Sequence, residues 1–329
     1  MPGPPPATAA VRHAVRRSLA GVDGPVAAGV SGGGDSLALA AALAVVRPGG
    51  QALVVDHGLQ EGSARVAARA AEQCGALGLD ARVLTRRDLP KMADPQHQGA
   101  GDSTSSGEQS SGEGIGGSGG SGPEGDARAL RYALLEATGS TVLLGHTRDD
   151  QAETVLLGLA RGAGARSLAG MAPARGSLRR PLLGLDRALV RQACAEAGLV
   201  PWEDPHNADP AYARARVRAA ALPALEQALG PGVAAALARS ARLLREDADA
   251  LDALAPDTDD CAALAALPAA LRSRGLHRLA VRTCGRAVTA VHVDALRALV
   301  DDWRGQGPVS LPGGTALARV GGHLVASTP

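Results

Sequence analysis

Val26-Ala27-Ala28-Gly29-Val30-Ser31-Gly32-Gly33-Gly34-Asp35-Ser36-Leu37-Ala38-Leu39 decides the fold. A short apolar run ends in a glycine turn, and an Ala/Leu stretch then continues to Val46. That order reads as strand, turn, helix. Glycines let the backbone turn with its N–H groups inward, the hydroxyls of Ser31 and Ser36 add donors, and the following helix aims its positive end at the same point. Ser31, Gly32, Gly33, Gly34, Asp35 and Ser36 thus form an anion cradle. The loop lacks the lysine of a Walker A motif and does not match the six-residue span G-x-G-x-x-G.

Working outward, Ala52 to Val55 is a second buried-strand run that ends in Asp56-His57-Gly58, and Ser63 to Leu77 reads as a helix. Ala81 to Leu84 is a third strand. Thr141 to Leu144 is a fourth, leading into Gly145-His146-Thr147-Arg148-Asp149-Asp150 and a helix from about Gln151 to Leu159. Strands alternating with helices predict an α/β fold, a mostly parallel sheet with helices on both faces. Ligands bind such sheets beyond the carboxyl ends of the strands, where the three polar clusters fall. The spacing of Asp150 and Glu153 puts two carboxylates on one helix face, suited to a cationic ligand, although acids at a helix start also complement its dipole by themselves. Arg128 and Arg131 share a face of a helix predicted over Ala127 to Ala137.

The chain has 329 residues, 45% hydrophobic and 20% charged, which fits a globular protein of about two domains. Residues 94–126 are Gly, Ser, Glu and Gln with few apolar side chains, and they read as a disordered insertion. Composition shifts after Pro205 to nearly continuous helix. We therefore expect a nucleotide-binding domain over 1–206 and a smaller helical domain over 207–329, the latter closing in a short hairpin from Pro308 to Ser327. The net charge of +1 gives no global case for nucleic acid. Locally, however, Arg161 to Arg191 holds seven arginines and one acid, and Arg214, Arg216 and Arg218 follow. Clustered arginines, Arg161, Arg166, Arg180, Arg214 and Arg218 among them, supply sequence-independent phosphate contacts. Aromatics are 1% of the chain, with no Phe, so base stacking has little to work with. Lys91 is the only lysine. Cys74, Cys194, Cys261 and Cys284 form no C-x-x-C pair, so no zinc or iron–sulfur site is expected, and they read as core residues of a reducing compartment. No signal peptide and no run of about 18 uncharged apolar residues is evident. A cytoplasmic protein with no membrane association is expected.

The Ser31 to Ser36 block resembles the S-G-G-x-D-S loop of the PP-loop ATP pyrophosphatases, whose fold is adenine nucleotide α hydrolase-like. The chain is more narrowly similar to the bacterial tRNA(Ile)-lysidine synthetases, in their short form. The blocks that carry this likeness are Val54 to Leu59, Gly145 to Thr154, Arg180 to Leu183, Trp202 to Asn207 and Tyr212 to Arg218, in order along the chain. The resemblance implies a ligase that uses ATP to adenylate the C2 oxygen of the wobble cytidine in the CAU anticodon of tRNA(Ile). The amine of L-lysine then displaces AMP, and the codon read changes from AUG to AUA. It further implies that the loop, Asp56 and His57 bind ATP, and that Asp150 and Glu153 bind lysine. Arg128 and Asp35 would serve catalysis, with Asp35 as a ligand of Mg²⁺ or a local orienter. A carboxylate or His146 would take the proton of the attacking amine. A homodimer is compatible with the family. Two positions depart from its pattern, His206 where a serine is usual and Ala215 where an asparagine is usual. The competing readings are another PP-loop tRNA-modifying enzyme, such as a thiolase with reactive cysteines, and a sensor that holds ATP without turnover.

Overall fold

The computed structural model describes residues 3–56, 58, 62–89, 123–204 and 209–327. They divide into two compact units, with Leu243 in the first and Leu244 in the second. The chain runs through α1 (Pro6–Ser18), β1 (Val26–Val30), α2 (Gly34–Val46), β2 (Gln51–Val55), α3 (Ser63–Ala76), β3 (Asp80–Leu84), α4 (Pro123–Glu136), β4 (Thr141–Leu144) and α5 (Arg148–Leu159). The one-turn α6 (Ala165–Leu168), the two-residue strands β5 (Ala174–Arg175) and β6 (Leu178–Arg179), and α7 (Arg187–Glu196) follow. Next, α8 (Ala213–Arg216) passes through a π turn, Val217–Ala221, into α9 (Leu222–Leu229), and α10 (Val233–Leu254) carries the chain across the division.

The sheet order is β3-β2-β1-β4-β6-β5, parallel except for the β5–β6 pair. Side chains alternate across it as a pleat requires. Ala28, Val30, Ala52 and Val54 pack in one core with residues of α1, α2, α3 and α7, whereas Ala27, Leu53, Val142 and Leu144 pack in another with Tyr132 and Leu135 of α4. Both faces are covered, which is why these strands carry almost no polar residue. β1 lies between β2 and β4, so the chain leaves it in one direction and later returns on its other side. At such a switch point the loops after neighbouring strands part and leave a crevice. The crevice here is lined by the segments after β1 and β4.

α1 was hidden by its prolines and arginines. Pro at the first helical position is compatible with a helix start, and Ala7, Val11 and Val15, four apart, form a stripe buried against α2 and α7. The insertion expected over 94–126 lies outside the described residues except for its last four, which begin α4 instead of staying irregular. His57, His206 and Asn207 also lie outside them. The composition boundary at 206/207 and the division at Leu243/Leu244 differ because residues 213–229 belong with the first unit, tied to α5 by Arg214 and Arg218.

In the second unit, α11 (Cys261–Ala265), α12 (Ala269–Cys284) and α13 (Ala290–Asp301) share a core with an antiparallel sheet of β7 (Val309–Leu311), β8 (Thr315–Val320) and β9 (His323–Ser327). The expected hairpin is thus a three-stranded meander, because Val309 to Leu311 adds a strand to β8. No helix among the described residues is long and apolar enough to cross a membrane.

Candidate active site

The cradle after β1 is braced from within. The Ser31 N–H donates to Ser36 Oγ at 3.1 Å, and Ser36 Oγ donates to the Gly33 carbonyl at 2.8 Å. The Ser36 hydroxyl, counted from sequence as a donor to the ligand, therefore shapes the loop. Gly32 takes φ +83°, and its carbonyl accepts from the Trp202 N–H at 2.9 Å. Gly33 caps α2 without a side-chain hydrogen bond, so the first turn of the helix presents its N–H groups to the crevice.

Asp35 stands in that first turn. Its Oδ2 lies 3.5 Å from Arg187 Nε, and its Oδ1 is buried with no hydrogen-bond partner. Burial pushes Asp35 up to about 6, against the pull of Arg187 and Arg191 and with help from the charge on Asp150. β4 ends directly against this turn. A Cβ on Gly145 would come within 3.1 Å of the Asp35 carbonyl carbon and oxygen and 3.2 Å of Ser36 Cα, so any larger residue would press the two segments apart by a few tenths of an ångström. After β2, Asp56 Oδ1 accepts from the Gly58 N–H at 3.0 Å, a local turn bond.

α5 opens with a reciprocal cap. Asp150 Oδ2 accepts from Thr147 N at 2.7 Å and Thr147 Oγ1 at 2.8 Å, which spends one carboxylate oxygen on the helix start. Its Oδ1 accepts from Arg187 Nη2 at 2.7 Å. Burial works to raise Asp150, but Arg187 and the Thr147 N–H outweigh it and hold the carboxyl below the usual range. Glu153 is 1% exposed and is gripped twice. Arg187 Nη1 reaches its Oε1 at 3.2 Å, while Arg218 Nε and Nη2 reach Oε1 and Oε2 at 2.8 and 3.1 Å. The third acid, Asp149, accepts the backbone N–H of Arg187 at 2.8 Å and so pins the start of α7.

The Arg187 side chain thus touches Asp35, Asp150 and Glu153 while its backbone N–H meets Asp149, and sequence reasoning missed it by folding it into a phosphate-gripping cluster. The available signal was Asp186-Arg187 at a helix start, since Asp186 caps α7 by accepting from Leu189 N. Other members of that cluster separate. Arg161 is exposed and bonds the Leu157 carbonyl, Arg166 is half-buried on α6, and Arg180 is 6% exposed with Nη1 on the Ala172 carbonyl. Arg214 Nη2 donates to Thr154 Oγ1 at 3.3 Å.

Arg128, Arg180 and Arg214 all act on His146. Burial, joined by these three positive charges and opposed by Asp150, pushes the imidazole down to about 3. It is therefore neutral at physiological pH, with Nδ1 buried and unpartnered. Arg128 itself lies over the Tyr132 ring at 5.3 Å and donates to its hydroxyl at 3.2 Å. Cys194, on α7, feels the charge of Asp35, but burial is the larger cause that pushes its thiol up to about 11, as it does for Cys74. Neither thiol is poised to ionise.

Known proteins share this fold. A PP-loop domain matches residues 11–225, and a TilS substrate binding domain matches residues 260–325. The tRNA(Ile)-lysidine synthase of Thermobifida fusca is 47% identical, with 99% of each chain covered. That of Leifsonia xyli subsp. xyli is 49% identical over 87% of this chain and 84% of its own. In fold, the chain is similar to the U34-tRNA thiolase of Methanococcus maripaludis solved with its [4Fe-4S] cluster, at TM-score 0.54 and 19% identity, covering 73% of this chain and 80% of that one. A PP-loop domain with its crevice at the β1/β4 switch point, and near-half identity along almost the whole chain, place this protein in the tRNA(Ile)-lysidine synthase family, the ATP-binding ligases that form lysidine in tRNA(Ile).

Proposed function

We propose that the crevice runs the two half-reactions in one place. The observation that carries this reading is that the anion cradle after β1 and the carboxylate pair on α5 after β4 are bridged by the single guanidinium of Arg187. ATP binds with its phosphates on the Ser31 to Ser36 loop and its nucleoside toward Asp56 and His57. The wobble cytidine of tRNA(Ile) with a CAU anticodon offers its C2 oxygen to the α-phosphorus, and pyrophosphate leaves. Preorganised N–H groups of the cradle meet the growing charge without having to reorganise.

Asp35 suits a cation, because its buried Oδ1 lacks a partner. No set of three or more metal-binding side chains occurs among the described residues, so Mg²⁺ would be held by Asp35 with phosphates and water, its ordinary habit. It would neutralise charge on the departing pyrophosphate. Asp150 and Glu153 hold L-lysine; a carboxylate of the site takes a proton from its ε-ammonium group, and the freed amine attacks C2 and expels AMP. Arg128 offers charge to the same centre. His146, held neutral, brings an uncharged imidazole rather than a further positive charge to the cytosine. That fits a chain with few stacking platforms, since Tyr132 is already covered by Arg128 and Arg175. Arg161 and Arg166 remain the best candidates for backbone phosphates of tRNA. Buried Arg180 acts through its charge on His146, and Arg218 through its grip on Glu153. Residues 260–325 would contribute further tRNA contacts.

The test is incubation of the protein with ATP, Mg²⁺, labelled lysine and this tRNA. Label should enter tRNA(Ile) and not the methionine tRNA with the same anticodon. Absence of incorporation overturns the function, and equal incorporation into both overturns the specificity.

A further inference from the structure

The carboxylate pair assigned above to lysine is already engaged by two arginines. Each of its four oxygens already accepts a bond: Asp150 Oδ2 from Thr147, Asp150 Oδ1 from Arg187, Glu153 Oε1 from Arg187 and Arg218, and Glu153 Oε2 from Arg218. An ammonium group entering here would be placed beside a guanidinium of like charge, with both carboxylates already neutralised. Displacing one of the two arginines relieves that repulsion. Arg218 holds Glu153 by both oxygens at 2.8 and 3.1 Å. Arg187 is different, because its Nε also reaches Asp35 in the anion cradle, at 3.5 Å.

We propose that Arg187 is a positioning residue that occupies the cation seat between Asp150 and Glu153 in the empty enzyme and transfers to the phosphates when nucleotide fills the cradle. Its planar fork suits phosphate oxygens as well as carboxylates, and from its position against Asp35 it needs no large backbone movement to exchange one for the other. The same displacement leaves Asp150 Oδ1 with only Arg218, at 3.6 Å, and opens the Arg187 side of Glu153 to lysine. Nucleotide and lysine therefore bind with positive coupling, in the range of about 5- to 150-fold typical of linked sites. An amine would be admitted only once there is ATP to activate its target. This rests on the reading of Asp150 and Glu153 as the lysine site.

The experiment measures L-lysine affinity of the full chain by calorimetry, with and without saturating Mg²⁺ and a non-hydrolysable ATP analogue. Wild type should bind lysine at least about tenfold more tightly with the analogue. Arg187→Gln should bind lysine without nucleotide about as tightly as loaded wild type does, so that the ratio falls toward one. A residue that merely braced the fold would instead weaken lysine binding in both states. An equal affinity in both states of wild type overturns the proposal, and so does an undiminished ratio in Arg187→Gln, which would mean the phosphates attract lysine directly. Should Arg187→Gln fail to fold, Arg187→Lys, which keeps the charge but not the fork, must give a smaller ratio than wild type, and an unchanged ratio overturns the proposal. Asp150→Asn in the nucleotide-loaded state separates the two claims. If it leaves lysine affinity unchanged, the lysine site itself is elsewhere.

Discussion

At the scale of single residues, the site is a balance between burial and charge. Glu153 is nearly inaccessible, and Glu153→Ala breaks its buried pairs with Arg187 and Arg218, which should cost about 3–5 kcal/mol in urea melts. The milder Glu153→Gln should raise the lysine requirement while ATP-dependent adenylation continues; loss of adenylation would refute that division of labour. Asp35→Ala should abolish AMP release and leave the fold intact. The two perturbed groups also pull stability in opposite directions with pH. His146 titrates near 3 when folded and near 6.5 when unfolded, so only the unfolded chain takes up a proton as pH falls from about 6.5. Its contribution to stability is lost through that window, and His146→Asn should flatten the loss. Asp35 titrates near 6 when folded and near 3.8 when unfolded. The folded chain holds the extra proton between those values, so stability falls as pH rises through them. Asp35→Asn should accordingly raise the melting temperature of the metal-free protein at pH 7.5 but not at pH 4.

Among the elements, those that could be read from the sequence were the ones whose signal is local. β1, β4 and the glycine loop announce themselves by short apolar runs that end in Gly, Ser and Asp, and their bounds match the expectation. α1 did not, because its buried stripe is made of small residues spaced one turn apart among arginines. Arg187 did not either, because its partners are 34 and 37 residues away on α5 and still farther on α2, and no periodicity carries such a contact. Residue types at the strand ends could be read, but not which charge pairs with which. The join between β4 and α2 is the element-level feature most open to test. Gly145→Ala puts a methyl group against the backbone of Asp35 and Ser36, which cannot give way as a flexible side chain can. It should cost about 1–3 kcal/mol and reduce AMP release more than tRNA binding.

For the whole molecule, the neutral total charge conceals a separation. Deleting residues 99–122, whose composition cannot build a core, should leave the melting temperature nearly unchanged, and a large drop would show that the segment packs. Affinity for tRNA should fall steeply with salt despite the net charge of +1, with Arg161→Ala lowering the slope. The walls of the crevice carry a last consequence. The carboxylates of the crevice and His146 feel Arg128, Arg180, Arg187, Arg191, Arg214 and Arg218, all guanidinium groups, and Lys91 is the only lysine in the chain. An arginine stays protonated at any working pH and is no nucleophile. Under the proposed mechanism an adenylated cytidine held there would meet cations that steady it without attacking it, so no lysine side chain among the described residues would compete with the amine that arrives from solution.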